Sequence, residues 1–191
     1  WQVDRAMEGF GMAMGPYAVQ DLSGLDIAYA NRQRKNLRAA PGIRYIPIAD
    51  RMVEELGRLG RKSGAGWYDY PEGAAPRPAA AVAELIEAAS AEAGIARRDF
   101  SEAEIVDRAL AAMIDEGARI LDEAIARRPA DIDLVMVHAD SLGLAAVASR
   151  IRGLAALDPL SWPAPDFIER LVAEGRSMAD LDRDERGGSH G

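Results

Sequence analysis

The stretch "GFGMAMGPYAVQDLSGLD", residues 9–26, decides how the rest of the chain is read. Its glycines at 9, 11 and 15 spell G-x-G-x-x-x-G, one residue off the spacing of a dinucleotide-binding turn. Such a turn follows a strand, opens a helix, and has an acidic residue about 20 positions further on. Here Val3, Ala6, Met7 and Phe10 recur at helical spacing, so a helix over residues 2–8 precedes the glycines. Pro16 suits the first turn of a second helix, where its missing N–H would have no partner anyway. The stretch therefore reads as a helix–turn–helix whose glycines give the backbone its turn. The second helix runs through Tyr17, Leu22 and Leu25 to about Arg34, with Gly24 inside it or at a break.

Composition agrees with a helical protein. The 191 residues suffice for one large domain or two small ones. Alanine-rich runs carrying Glu and Arg dominate, aromatic residues make up 6%, and long β-branched alternations are missing. The net charge of −8 argues against a nucleic-acid partner, which would need excess Lys and Arg, yet leaves room for a local basic patch for one anionic ligand. The absence of cysteine excludes disulfides, thiolate zinc sites and cysteine nucleophiles, and fits a cytoplasmic location. No run of roughly 18 apolar residues predicts a membrane span, and no signal-peptide pattern opens the chain. Trp1 stands where a Met would start a protein, already within a helical pattern, which reads as part of something longer.

Outward from the opening stretch, residues 36–46 are irregular, and "IADRMVEELGRLG" (48–60) is an amphipathic helix with Ile48, Met52, Val53, Leu56 and Leu59 on one face. "RKSGAGWYDYPEG" (61–73) reads as a glycine-bounded aromatic strand, and "PEGAAPRPAA" (71–80) as a linker. A short helix covers "VAELIEAASAEAGI" (82–95). The longest helix covers residues 101–128, opened by the capping box of Ser101 and Glu104. Its expected buried stripe is Ile105, Ala109, Ala112, Met113, Ile120, Leu121 and Ala124. Further helices begin at "PADIDLVMV" (129–137), "SLGLAAVASRIRGLAAL" (141–157) and Pro165, and "DRDERGGSHG" (182–191) is a polar tail expected to fray.

An internal repeat links the two halves. "QDLSGLDIA" (20–28) resembles "ADSLGLAAV" (139–147), so Asp21, Gly24 and Leu25 fall on Asp140, Gly143 and Leu144, and Asp4 falls on Asp133. Asp4 and Asp21 are 17 residues apart, whereas Asp133 and Asp140 are 7 apart. The second copy thus lacks the counterpart of the opening turn, near Val137 and His138. Either the turn was deleted, or a disordered loop is missing from the sequence at that point. The second reading is preferred, because "DLVMVHADSLGL" would join two helix patterns with neither Gly nor Pro before Gly143. A Cα spacing of about 3.8 Å between Val137 and His138 would exclude the missing loop.

The M-G-P-x-x-x-x-D-x-x-G-L-D string (14–26), followed by G-R-K-S-G-x-G-x-Y-D-Y (60–70), resembles the C-terminal helical region of the 3-hydroxyacyl-CoA dehydrogenases. "EIVDRALAAMIDEGARILDEAIARRPADIDLVMV" and "WPAPDFIERLVAEGRS" resemble the second helical repeat of the long, multifunctional members, which fuse an enoyl-CoA hydratase to the dehydrogenase. In those members the second repeat carries a Gly-, Pro-, Arg- and Trp-rich loop at the place of the 137/138 junction. The resemblance implies an all-α fold of two tandem similar helical repeats, of the 6-phosphogluconate dehydrogenase C-terminal kind, packed as a pseudo-dimer. Residues 1–70 would form the first repeat, 71–80 the linker, 81–180 the second repeat and 181–191 a disordered tail.

The resemblance also implies oxidation of (S)-3-hydroxyacyl-CoA thioesters by NAD in fatty-acid β-oxidation, with a His base taking the hydroxyl proton. The NAD domain, the catalytic His–Glu pair and the hydratase domain would all precede Trp1. No catalytic residue and no bound NAD is then expected in this chain, which alone should be inactive. Acyl-CoA would be met together with the missing domains, and a homodimer or a thiolase subunit are the expected protein partners. Two other readings stand beside this one: a non-catalytic helical interaction or dimerisation module of a multienzyme complex, and a 6-phosphogluconate-like reductase domain, which lacks the "GRKSGAGWYDY" ending.

Candidate site residues are few. By resemblance, the opening turn faces the cleft between domains, and Met12, Met14, Gly15 and Pro16 would line the acyl pocket, Met being suited to apolar chains of varying shape. The plain alternative is core packing. "GRLGRKSGAG" imitates a Walker A loop, but Arg61 separates Gly60 from Lys62 and no strand precedes it. Arg61 and Lys62 remain candidates for a CoA phosphate contact, against a structural turn with solvated cations. His138 and Asp140, two positions apart, would face different ways on a helix, His190 lies in the tail, and no metal-ligating spacing occurs.

Overall fold

The computed structural model describes residues 1–39, 45–129, 132, 142–157, 159, 162 and 165–187. The chain divides into two compact units, Trp1–Val106 and Asp107–Gly191. Among the described residues the secondary structure is almost wholly helical, as expected, apart from one two-stranded antiparallel ribbon.

In the first unit, α1 (Gln2–Phe10) ends at Gly11, which takes a φ of 124°. The turn then delivers the chain to α2 (Pro16–Ser23), with Pro16 in the first turn. Gly24, at φ 97°, breaks the helical run and starts α3 (Leu25–Arg34), so the Gly24 break expected from the sequence is real. α4 (Ile48–Glu54) is shorter than the 48–60 pattern suggests. Gly57, at φ 60°, turns the chain out of the helix, and the Arg58 N–H closes back on the Met52 carbonyl at 2.9 Å. The Arg58 guanidinium is buried and donates to the carbonyls of Gly66 and Tyr68, at 2.6 and 3.1 Å, and to Asp69 at 2.7 Å. A 3-10 turn at Arg61–Ser63 leads to β1 (Tyr68–Asp69), the aromatic strand.

Two expectations are corrected here. Residues 71–80 are not a linker between repeats, because β2 (Arg77–Pro78) returns along β1, with Tyr68 opposite Pro78 and Asp69 opposite Arg77. The helix that follows, α5 (Ala80–Glu92), belongs to the first unit rather than the second. Val82 and Leu85 enter the same core as Leu25, Met52 and Trp67. A Pro- and Gly-rich stretch looks like a linker to any reading of local periodicity. Ala79 and Val82, at 1% and 0% exposure, show that it is a hairpin return that brings an apolar helix back onto the core.

α6 (Glu102–Asp122) runs from the end of the first unit into the second and begins beyond the Ser101 cap, whose hydroxyl accepts the Glu104 N–H at 3.2 Å. Of the expected stripe, Ile105 is buried and Leu121 packs partly buried against the core, but the centre of the buried face is Ala111, Ile114 and Ala118 rather than Ala112 and Met113. Period 3.6 cannot choose between the adjacent apolar residues Met113 and Ile114; the neighbouring helices do, and Met113 is left 38% exposed. Those neighbours are α7 (Leu144–Leu157), α8 (Asp166–Ala173) and α9 (Met178–Gly187), which contribute Val147, Ile151, Ile168 and Met178 to the core. The expected frayed tail at 181 is therefore helical through Gly187.

The positions paired by the internal repeat behave alike where both are described. Gly24 and Gly143 both have positive φ, at 97° and 79°, and each precedes a helix whose first residue, Leu25 or Leu144, is buried. Asp133, Val137, His138, Asp140 and His190 lie outside the described residues, and with them the question of the 137/138 junction.

Candidate functional site

Two buried aspartates organise the first unit. Asp4 on α1 and Asp21 on α2 are 2% and 0% exposed. Asp4 accepts the backbone N–H groups of Tyr17 and Ala18, at 2.8 and 3.0 Å, and the hydroxyl of Tyr68 at 2.7 Å. Asp21 accepts the N–H groups of Trp67 and Tyr68, at 2.8 and 3.0 Å, and the hydroxyl of Tyr70 at 2.9 Å. Neither carboxylate faces a cation within ion-pair distance among the described residues; backbone dipoles and phenol hydroxyls compensate the charge.

This arrangement settles what the glycines do. Gly15, at the N-cap of α2, has no side chain to cap the helix, so Asp4 caps it from α1. A Cβ on Gly15 would sit 2.3 Å from the Asp4 side chain. Likewise a Cβ on Gly66 would lie 2.0 Å from an Asp21 carboxylate oxygen. Gly15 and Gly66 make room for carboxylates, not phosphates. In a dinucleotide loop the anion takes the free N–H groups at a helix N-terminus. Here the Tyr17 and Ala18 N–H groups go to Asp4, and the Gly15 N–H goes to Glu8 at 2.9 Å. Two negative side chains close the position that a pyrophosphate would need, so these residues do not fit NAD.

The hydroxyls of Tyr68 and Tyr70 are consumed by the two carboxylates. Burial first, and then the hydrogen bond to Asp4, pushes the Tyr68 hydroxyl well above its ordinary value. Burial and Asp21 do the same to Tyr70, against a smaller opposing effect of Arg61. Both rings line a groove of about 280 Å³, together with Glu8, Met14, Ala18, Leu22, Arg61 and Pro76.

The structure thus brings together Met14 and Arg61, two sequence-selected residues 47 positions apart, on one groove. It does not bring the others there. Met12 is half-buried beside the turn, Gly15 is buried under Asp4, and Pro16 is half-buried at the start of α2. Lys62 turns away to Asp26, with its Nζ 2.6 Å from both carboxylate oxygens, and this cation holds the Asp26 carboxyl below its usual value. Arg61 has no carboxylate within ion-pair distance among the described residues. The sequence reading missed Tyr68, Tyr70, Glu8 and Leu22. Tyr68 and Tyr70 carried a usable signal, since residues i and i+2 of a strand share a face.

Among the described residues no group of three or more His, Cys, Asp or Glu side chains is placed to hold a metal ion. None of their helices is long and apolar enough to cross a membrane.

Comparison with known proteins matches residues 1–70 to the 3-hydroxyacyl-CoA dehydrogenase C-terminal domain. The peroxisomal bifunctional enzyme of Danio rerio is 35% identical over 91% of this chain, and that of Homo sapiens is 32% identical over 91%. The chain spans 28% of the length of each. The crystal structure of the dehydrogenase part of multifunctional enzyme 1 from C. elegans shares the fold, with a TM-score of 0.68 over 88% of this chain and 41% of that one, at 19% identity. By the motif strings, the helical architecture and these matches, residues 1–70 carry the 3-hydroxyacyl-CoA dehydrogenase C-terminal domain, and the chain as a whole is similar to part of the peroxisomal bifunctional enzymes.

Proposed function

We propose that the chain is the helical, C-terminal part of an NAD-dependent (S)-3-hydroxyacyl-CoA dehydrogenase of fatty-acid β-oxidation, and that its first unit supplies part of the wall against which acyl-CoA lies. The observation that supports this most is the groove shared by Met14 and Arg61, which puts an adaptable apolar side chain and an unpaired guanidinium on one surface. NAD, when bound to the whole enzyme, accepts the hydride. The residues of this chain contribute contact surface and shape, not a proton-transfer group. The tandem-repeat, pseudo-dimer reading belongs to the same proposal, supported by the matching Gly24–Leu25 and Gly143–Leu144 junctions.

The test uses the whole enzyme. Arg61→Ala should raise KM for 3-hydroxyacyl-CoA about tenfold while leaving kcat nearly unchanged, the mark of lost ground-state binding. An unchanged KM would remove Arg61 from the site. Residues 1–191 purified alone should form no NADH from any 3-hydroxyacyl-CoA; turnover would overturn the assignment of chemistry to the missing part. For location, the cytoplasmic expectation competes with the peroxisomal naming of the relatives, and fractionation of the source cells decides between them.

A second reading has its own observation. Val19 on α2 and Ile27 on α3, large apolar residues outside the groove lining, are 43% and 57% exposed. We propose that these side chains serve contact with another chain, a homodimer mate or a thiolase subunit. Light scattering of the purified protein, alone and mixed with the thiolase, tests it, with Ile27→Asp expected to abolish any complex.

A further inference from the structure

Resting on the reading that the groove meets acyl-CoA, we infer that it takes the phosphorylated adenosine end of the molecule rather than the acyl end. Three observations carry this. First, Tyr68 and Tyr70 present rings whose hydroxyls are held by Asp4 and Asp21, so each ring is fixed in place before a ligand arrives. Pre-fixed aromatic faces favour a flat π-system, and stacking on a purine does not need the phenol hydroxyls. Second, Arg61 is exposed, lines the groove, and has no carboxylate partner among the described residues, so it offers an anion a forked donor without first breaking an ion pair. Lys62, one residue on, is spent on Asp26. Third, Glu8 lines the same groove with one carboxylate oxygen engaged by the Gly15 N–H, leaving the other as an acceptor.

A cation, a carboxylate acceptor and two tyrosine rings line one groove, which matches a ligand that combines an anion, an N–H donor and a flat ring. Adenosine phosphate has all three: its phosphate goes to Arg61, its ring lies on the tyrosines, and its 6-amino group donates to Glu8. A saturated acyl chain has none of them, and would leave Glu8 and Arg61 desolvated without compensation. The Glu8 carboxylate also repels phosphate, which orients the nucleotide with its base toward Glu8 and its phosphate toward Arg61. The volume of about 280 Å³ holds a nucleoside monophosphate in part, with the remainder in solvent.

The experiment is a calorimetric titration of the 191-residue chain with adenosine 3′,5′-bisphosphate, and in parallel with AMP, NAD and octanoyl-pantetheine. Saturation-transfer NMR reads contact between tyrosine ring protons and purine H2 and H8. Adenosine 3′,5′-bisphosphate should bind saturably and show that contact. Arg61→Ala should weaken it about ten- to a hundredfold. Leu22→Glu, which adds a negative charge at an exposed groove position, should weaken it similarly, with both variants keeping wild-type circular dichroism. Equal binding of AMP would support the adenosine-phosphate site, and preference for the 3′,5′-bisphosphate would assign it to CoA; NAD binding as tight as the bisphosphate would overturn the assignment to CoA. Absence of saturable binding at up to about 10 mM, or binding that neither variant changes, overturns the inference. If octanoyl-pantetheine alone binds, with the same sensitivity to Leu22→Glu, the nucleotide assignment fails while the acyl-CoA reading of the groove stands.

Discussion

The Tyr68 hydroxyl donates to the Asp4 carboxylate at 2.7 Å, across 64 residues of sequence, and the same carboxylate caps α2. One side chain of α1 therefore ties the start of α2 to the strand that floors the groove. The matching bond from Tyr70 to Asp21 repeats the device one helix later.

Removing Asp21 should be among the most damaging single changes in the first unit. Asp21→Ala leaves the Trp67 and Tyr68 N–H groups and the Tyr70 hydroxyl without their acceptor, in a site with no exposure. Each buried donor left unpaired costs about 1–3 kcal/mol, so a loss of roughly 3 kcal/mol or more is expected. Tyr70→Phe removes a single donor and should cost about 1 kcal/mol. Urea unfolding of both variants gives the comparison, and equal losses would mean that the backbone contacts contribute little.

The glycines should separate by role. Gly9 lies within α1, and a Cβ there would meet nothing within 4 Å, so Gly9→Ala should stabilise by about 0.5–1 kcal/mol. Gly15→Ala drives a methyl group into Asp4 at 2.3 Å and should destabilise by about 1–3 kcal/mol. Thermal melts of the two single variants should move in opposite directions. If both moved the same way, Gly15 would not be the slot for Asp4.

At the acid end the second unit has a defined sensitivity. The Ser177 N–H and hydroxyl donate to Asp180 at 2.7 and 2.8 Å, and Arg183 adds to them, holding the Asp180 carboxyl at about 2 against an ordinary 3.8. A depressed folded value means stability that is full above the unfolded value and is lost as pH falls from about 4 toward 2. Asp180→Asn should flatten the stability profile in that window and leave the profile between pH 6 and 8 parallel to wild type, as read by denaturant midpoints at stepped pH.

At the alkaline end the sign reverses. Tyr68 and Tyr70 have raised folded values, chiefly through burial and then through their aspartate partners. Their contribution is full below the unfolded value of about 10 and is lost as pH rises through the folded values. Spectrophotometric titration should therefore show these two phenols still protonated well above the ordinary value of about 10, and ionising after the other three tyrosines. In a Tyr68→Phe, Tyr70→Phe double variant the late-titrating phenols should be missing, and alkaline unfolding should depend less steeply on pH. Loss of an early-titrating pair instead would contradict the buried arrangement.

Legibility in the sequence followed the range of the interaction. Pro16 at a helix start, Gly24 at a break and Ser101 at a cap are local devices, each acting within about one turn of helix, and each was readable from its neighbours. Ala111, Ile114 and Ala118 were misassigned because adjacent apolar residues on an alanine-rich helix give the period two registers, and packing selects one. Two of the eight groove residues, Met14 and Arg61, were visible in the sequence. The rest were not, since nothing near Tyr68 or Tyr70 in sequence shows that Asp4 and Asp21 will take their hydroxyls.

The sequence by itself determined the helical class, most helix starts and the motif strings that carry the family, because caps, prolines and apolar periodicity act between residues a few positions apart. Tertiary structure alone decided that residues 71–80 are a hairpin return, that α5 joins the first core, and that Gly15 of the opening turn admits Asp4 while Gly66 admits Asp21. Those outcomes depend on carboxylates finding N–H and hydroxyl donors tens of residues away. A buried charge must have such donors, but no local pattern names them.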